Sequence, residues 1–444
     1  MIEPSQAHRV AQTLATNLQN ERHPFDRCRE YLRGERGLVR LPGNASDELR
    51  DIRKRSVKNI LKAVVNTYTN DISVIGYANP DSTDNHEAWR IWNRLDFPSK
   101  QKAVTRSTVT YGVAYVSILP GSIRIGTPRN TTAVYEQSRD RFPKYALDTW
   151  FDSSGGKHGL LVDDRNYYVI RYGSEFSTTP ESVEGPFSHD ITLEGQPICP
   201  VVRFLNTETG DDDDLVQGDV EGLITDQEAI NTVNFLRLVA TKYGASPQKV
   251  LSQIETLPPE ALEELENGSQ TVWTFPDDVK VHEFSAADPA GYTGVLKEQL
   301  AHVAMTAGLN PTQVGSNDLV NLSGEALEAV DRTHKAHVRT KQAVLAGSWK
   351  LVLRILGSME GLEDDASSEV LYASVESPTI GAVGDLISKA HPAGIPVKHL
   401  VGLIPGLTPQ QVRNIKTDMD RAPVLDPVST FVEEANALTT EGDQ

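Results

Sequence analysis

The longest uninterrupted helical pattern in the chain runs from about Gly324 to Met359, and no other stretch restricts the fold as much. At 1.5 Å per residue it would span about 50 Å, more than the width of a small domain. Ser323 is placed to cap its first turn, and Glu325 to sit at the positive end of its dipole. Gly361 and the acidic "EDDASSE" end it. The approach to this helix is unusual. An apolar, helix-compatible segment stops at Gly308, Pro311 follows, and residues 309–323 hold no Lys or Arg and one acid, Asp318. The pattern predicts a nearly uncharged loop strung between two strong helices, with no obvious catalytic group on it.

Charge narrows the function. The chain has 444 residues, enough for two or three domains, and a formal net charge of −18. A protein that grips nucleic acid over a broad surface carries a basic excess, because neutralising phosphates drives such binding. Nucleic acid is therefore either not a partner here or a partner that must not stick. Cys28 and Cys199 form no CxxC pair, which points to a reducing compartment. The N-terminus has no charged region followed by an apolar one, so no signal peptide is expected. "WKLVLRILGSM" is cut by Lys350 and Arg354, and no membrane span is expected.

Along the chain, residues 1–80 read as mostly helical. Residues 46–70 place Ile52, Ile60, Leu61, Val64 and Val65 near one helical face, and "DISVIGY" reads as a short strand. Asp84 with Glu87 reads as a capping box before a buried stripe of Trp89, Trp92 and Leu95. Pro98 and Ser99 restart a helix that ends at Gly112. From there the period changes to that of strands, and residues 113–206 read as an antiparallel, β-rich region. Residues 219–242 predict a helix of about 36 Å. Residues 243–287 form a small Pro-bounded insertion with strand-like "QTVWTF" and "KVHEF", and a second helix follows. Beyond the long helix lie short helices and a tail, "ALTTEGDQ", expected to be disordered.

Searches for chemistry return little. No GxxxxGK[ST], HExxH, GxSxG or strand-following GxGxxG is present. His334 and His337 stand i, i+3 on the long helix, but no carboxylate or Cys at matching spacing completes a metal site. Asp211–Asp214 lacks the spaced ligands and turn glycine of a calcium loop and reads as a solvated, self-repelling turn. Trp89 and Trp92 read as core rather than as a base-stacking platform. No catalytic residue, cofactor or metal is expected.

In order and spacing, the elements carried by "NILKAVVNTYTNDISVIGY", "IWNRLDFPSKQKAVTRSTVTYGVAYVSI", "FLRLVATKYGASPQKVL" and "GLNPTQVGSNDLVNLSGEALEAV" resemble the portal, or head-to-tail connector, proteins of tailed bacteriophages, specifically the siphophage portal family. The resemblance covers about residues 25–360. It implies an α+β portal fold and a ring, usually of twelve subunits, at one capsid vertex. Genome would pass non-specifically through the ring during packaging and ejection, driven inward by a separate ATPase, the large terminase subunit. Carried onto this chain, it implies N-terminal helices and an α/β wing over 1–218, a first stem helix over 219–242, a clip over 243–287 and a second stem helix over 288–308. A tunnel loop would follow over 309–322, the long wing helix and its return over 323–377, and a helical crown and C-terminal tail over 378–444.

On that reading Asn310, Gln313, Ser316, Asn317, Asp318 and Asn321 would face the DNA, and Lys297, Glu298 and His302 would line the stem channel. Trp273, Phe275 and Phe284 would meet partners at the clip. Implied partners are further copies of the chain, double-stranded DNA, the large terminase subunit, the major capsid and scaffolding proteins, and a head-completion adaptor, with no membrane. On the residues alone two other readings stay open: a cytosolic metal-dependent hydrolase using His334, His337 and the aspartate cluster, or another virion component of tail or capsid. Long helices with apolar residues on more than one face need more neighbours than one subunit supplies. Purified protein is therefore expected to contain closed rings of far more than four subunits. A strictly monomeric mass at high concentration, with no rings in virions, would rule this out.

Overall fold

The computed structural model describes residues 2–80, 85–207, 216–245, 249–252, 280–283, 289–315, 324–375, 380–390, 392–404, 407 and 409–421. The fold is mixed α+β, and the chain divides into two compact units, Met1–Ala373 and Ser374–Gln444.

The first unit opens with helices Pro4–Asn20, Arg22–Arg33, Asp47–Arg55 and Ile60–Asp71. The expected single helix over 46–70 is thus two. Ser56 closes the first by donating its Oγ to Arg53 O at 2.7 Å, and Asn59 opens the second by accepting from Lys62 N at 3.1 Å. Short polar side chains compete for backbone groups in this way and interrupt helices. Lys102 satisfies the other end of the second helix: its Nζ donates to Thr69 O at 2.7 Å and Asn70 O at 3.0 Å. The expected capping box also differs. The helix is Ala88–Arg94, capped at Glu87 with no side-chain bond, because His86 Nδ1 accepts from Ala88 N at 3.1 Å. Asp84 lies outside the described residues. Helix Phe97–Tyr111 ends at Gly112, whose φ of 86° and close approach to Gln217 exclude a side chain: a Cβ there would lie 2.5 Å from Gln217 N.

Strands β1 (Val74–Ala78), β2 (Val113–Leu119), β3 (Ser122–Gly126), β4 (Thr131–Val134), β5 (Tyr145–Phe151), β6 (Lys157–Val162), β7 (Asn166–Tyr172), β8 (Pro180–Ser188), β9 (Thr192–Leu193), β10 (Gln196–Pro197) and β11 (Val201–Leu205) follow, with β12 (Lys249–Ser252), β13 (Lys280–Glu283) and β14 (Glu369–Tyr372) later in the chain. They form a five-stranded antiparallel sheet β4-β5-β6-β7-β8, a three-stranded sheet β11-β2-β3 and the pairs β1-β14, β9-β10 and β12-β13. Strands β6 and β8 carry no clear sequence signal: "GLLV" in β6 is buried throughout and does not alternate, and β8 is mostly exposed. The five-stranded sheet is covered on both faces. Leu147, Leu161, Tyr168 and Ile170 pack on the first helix through Ala7, Ala11, Leu14 and Ala15. Ala146, Leu160 and Val162 face Val113, Tyr115, Leu119 and Val201 of the other sheet. Strand periodicity turns successive residues to opposite sides, so the one sheet builds two cores.

Helix Asp219–Gly222 breaks at Leu223 before helix Ile224–Ala245, where one helix over 219–242 was expected. Pro289–Thr306 follows, and then Gly324–Met359, as its pattern predicts. The last of these carries the aromatic centre of the unit. Trp349, 1% exposed, lies 4.4 Å from the Phe204 ring and 5.0 Å from that of Trp92, which stacks on Phe97 at 4.6 Å. Trp92 is thus core, as expected, with Trp89 half-buried beside it. Near its end Arg354, 4% exposed at the side chain, donates to Asp364 at 2.5 and 2.6 Å and to Glu194 at 2.8 Å. In the second unit, helices Ile380–Ala390, Val397–Leu400 and Pro409–Arg421 are joined by the 3-10 turn Val401–Leu403, and Val383, Ala390, Leu400 and Val401 are buried. The tail after 421 lies outside the described residues.

Trp349→Ala is expected to cost about 3–5 kcal/mol in thermal or denaturant unfolding, as buried Trp truncations do. Acid should act on the Arg354 cluster. Hydrogen bonds from Arg354 hold the Asp364 carboxyl below the usual carboxylate range, and those from Ser367 and Ser368 hold Asp365 lower still. Depressed carboxyls contribute stability that is complete above their unfolded values and lost as pH falls through the folded ones. Melting temperature should therefore fall on acidification below about pH 4, and Asp364→Asn together with Asp365→Asn should flatten that fall. An unchanged pH profile in the double variant would contradict this assignment.

Candidate functional site

The uncharged loop is anchored on its N-terminal side by a set of polar contacts. Beyond helix Pro289–Thr306 the chain turns at Gly308, whose φ is 62° and whose missing Cβ would lie within 2.6–2.8 Å of the His337 ring. Pro311–Val314 then forms one 3-10 turn. Asn310 caps it: its Oδ1 accepts from Thr312 N at 3.0 Å, and Gln313 Oε1 returns the bond by accepting from Asn310 N at 2.9 Å. Asn310 Nδ2 donates to Asp331 Oδ1 of the long helix at 2.7 Å.

Two buried rings hold the carbonyls just before this turn. Tyr68 OH donates to Ala307 O at 2.6 Å. His334, 5% exposed, stands between Gly308 O at 3.1 Å from Nδ1 and Asp71 Oδ2 at 2.7 Å from Nε2. Both its nitrogens face acceptors, so only the doubly protonated ring donates to both. Two turns further along the long helix, Lys341 lies 2.8 Å from Asp219 Oδ2 and donates to Asn206 Oδ1 at 2.8 Å. Asn206 Nδ2 donates in turn to Asp219 Oδ1 at 2.9 Å. Lys341 also sits 5.1 Å from the Tyr68 ring centroid. Burial, with the negative charges of Asp219 and Asp71, pushes the Tyr68 phenol up, so it remains a donor at neutral pH. Tyr68, Asp219, Ala307, His337 and Lys341 border a cleft of about 680 Å³.

A second clamp fixes helix Ile224–Ala245. Gln227, Asn231 and Asn234 fall on one face at i, i+4 and i+7, each no more than 3% exposed. Gln227 Oε1 accepts from Ile60 N at 2.9 Å, Asn231 Oδ1 accepts from Lys58 N at 3.0 Å, and Asn234 Nδ2 donates to Ser56 O at 2.6 Å. These amides satisfy backbone groups freed where the two helices of residues 47–71 part, including donors at the start of Ile60–Asp71.

The structure places the expected site residues as follows. Asn310 is 3% exposed and turned inward, so it positions the loop and does not face outward as expected; its cap and its bond to Asp331 draw it in. Gln313 is exposed. Ser316, Asn317, Asp318, Asn321, Trp273, Phe275 and Phe284 lie outside the described residues, as does the aspartate run 211–214. Lys297, Glu298 and His302 are exposed on Pro289–Thr306, and His302 Nδ1 approaches Asp226 Oδ1 of the neighbouring helix at 3.5 Å. His334 and His337 do not converge: the first is buried, the second exposed. Among the described residues no group of three His, Cys, Asp or Glu is arranged to hold a metal ion, and no described helix is long and apolar enough to cross a membrane.

Residues 12–395 match the family described as phage portal protein, SPP1 Gp6-like. A stretch of 119 residues is 27% identical to the portal protein of Mycobacterium phage D29; it covers 26% of this chain and 24% of that protein. Solved structures with similar chains include the virion of a native gene transfer agent particle, with 12% identity and a TM-score of 0.44 over 88% of this chain and 98% of that one. Another is the neck of an empty gene transfer agent particle, with 13% identity and a TM-score of 0.47 over 85% and 95%.

His334→Ala removes the ring from Gly308 O and Asp71, and an unmet buried partner costs about 1–3 kcal/mol. Hydrogen exchange at 308–315 should accelerate while the five-stranded sheet stays protected. Lys341→Met leaves Asp219 without its cation and should cost about 3–5 kcal/mol. Adding Asp219→Asn should recover part of that loss; a double variant no better than the single one would show that the pair does not act together.

Proposed function

Because this chain belongs to the SPP1 Gp6-like family of phage portal proteins, and so to the portal vertex of a virion, we propose that it assembles into a ring through which double-stranded DNA is packaged and ejected. The observation that carries the reading is the family match over residues 12–395, within which the uncharged loop is anchored on its N-terminal side to the long helix. Helices 224–245 and 289–306 form the stem, residues 309–322 the tunnel loop, and 249–283 part of the clip. The family is structural, and no catalytic step is assigned to the chain. The large terminase subunit, a head-completion adaptor, and the major capsid and scaffolding proteins are the docking partners we assign. Trp273, Phe275 and Phe284 would serve clip contacts, and Lys297, Glu298 and His302 the channel wall.

A ring repeats one loop around a central hole, so a modest side chain becomes a collar. Residues 309–323 contain no cation, and a net charge of −18 repels a polyanion. Such a collar touches DNA sterically and by weak polar contacts, without the phosphate pairing that would arrest sliding.

Asn317→Lys with Asp318→Lys would set two cations per subunit beside the moving duplex. Each phosphate contact adds a salt slope of roughly −0.9 on duplex DNA. Packaging in vitro should slow at low salt and partly recover at higher salt, with rings intact on negative-stain images, whereas Asp318→Asn should act mildly. A double-Lys variant that packages normally at low salt would mean that the loop does not face DNA.

A further inference from the structure

The first two helices and the five-stranded sheet enclose a pocket of about 430 Å³ bordered by Arg22, Arg29, Arg129 and Lys157, with Phe151 and Phe176 at its rim. Four cations gather here in a chain with a formal net charge of −18. Asp26 bridges two of them, 3.0 Å from Arg22 Nε and 2.6 Å from Arg129 Nε. Glu175 lies at the pocket beside Lys157. Four positive against two negative groups leave an excess of two.

The cations are incompletely partnered. Arg29 makes no ion pair or hydrogen bond with any described residue, although it is half-buried. Arg22 Nε is buried and not aligned to donate to Asp26 despite its proximity. Burial, and then the charge of Arg129 and Arg33, lowers the Arg29 pKa, and burial, and then Arg22, lowers that of Lys157. Half-buried like charges that repel one another do not assist folding. Perturbed, like-charged groups gathered at a pocket are the arrangement expected where opposite charge is received.

The remaining lining selects among anions. Thr127 Oγ1 donates to Asn130 Oδ1 at 2.7 Å, Asn130 Nδ2 to Asp148 Oδ1 at 3.3 Å, and Thr149 Oγ1 to Asn130 O at 3.0 Å. These three neutral groups are engaged within the protein, which leaves Gln19 as the pocket's exposed neutral amide. What stays available is guanidinium charge, with the exposed Gln19 amide, beside two apolar rings, Phe151 at 47% and Phe176 at 77% exposure; Lys157 is already engaged, donating to Ser177 O at 2.8 Å. Guanidinium forks match carboxylates in two-pronged pairs, and phenylalanine rings take apolar side chains.

We propose that this pocket is a docking site for an acidic peptide segment of a partner protein, with Arg29 and Arg129 receiving carboxylates and Phe151 and Phe176 gripping an apolar residue between them. The inference rests on the pocket alone and does not depend on the portal reading.

The test uses the full chain and a fluorescein-labelled peptide of glutamates with interspersed phenylalanines, followed by anisotropy. The peptide should bind, weaken with salt, and lose about tenfold or more of its affinity in Arg29→Gln and in Arg129→Gln. Phe176→Ser should weaken it several-fold, about as expected for one apolar contact. Arg29→Gln should at the same time raise the melting temperature slightly, since it relieves repulsion; a residue serving only the fold would lower it. No binding, equal binding by the Arg variants, or displacement by inorganic phosphate or a short single-stranded oligonucleotide at concentrations matching the unlabelled peptide would each overturn the proposal.

Discussion

The first unit turns on one buried ammonium. Lys341 of the long helix meets Asp219 at the start of the 219–245 helical segment and Asn206 just after the last strand of the three-stranded sheet. The contact joins the long helix to a segment more than 120 positions earlier in the chain. A charge buried without its partner is far more costly than the pair is stabilising. The contact therefore specifies an arrangement: slip the helix by one turn and both Lys341 and Asp219 are stranded. His334, two turns away, extends the same logic to Gly308 and Asp71.

Much of this was legible in the sequence where apolar periodicity or a glycine carried it. The 324–359 helix, the stop at Gly112, the antiparallel strands beyond it and the burial of Trp92 are legible because each depends on local pattern. The breaks at Ser56–Asn59 and Leu223 were not, since apolar spacing continues across them while side chains or a change of direction interrupt the backbone ladder. β6 escaped because a strand buried on both faces shows no alternation.

The site was harder to read. The residues that matter most at the loop base, His334, Asp71, Tyr68 and Lys341, come together only in the fold. The spacing of His334 and His337 suggests a metal ligand, but the partners of His334 come from a helix some 260 positions earlier and from the Gly308 turn. Asn310 sits in a polar stretch that suggested exposure, yet it is drawn inward as a cap. The clearest missed signal was Gln227, Asn231 and Asn234: three amides at helical spacing on a buried face have few uses other than pairing with exposed backbone.

The distribution of anchors along the long helix has a mechanical consequence. Trp349 and Arg354 grip one part of the rod in the aromatic core, while His334 and Asp331 hold the Gly308–Val314 turn at another. From Trp349 to His334 the arm is about 22 Å at 1.5 Å per residue. Lys341, about 12 Å along that arm, is itself held by Asp219 and Asn206, so the rod is fixed at three levels. The helix is thus a strut held by aromatic packing at one level and by polar contacts at the others, so a displacement at any one of them is resisted by all.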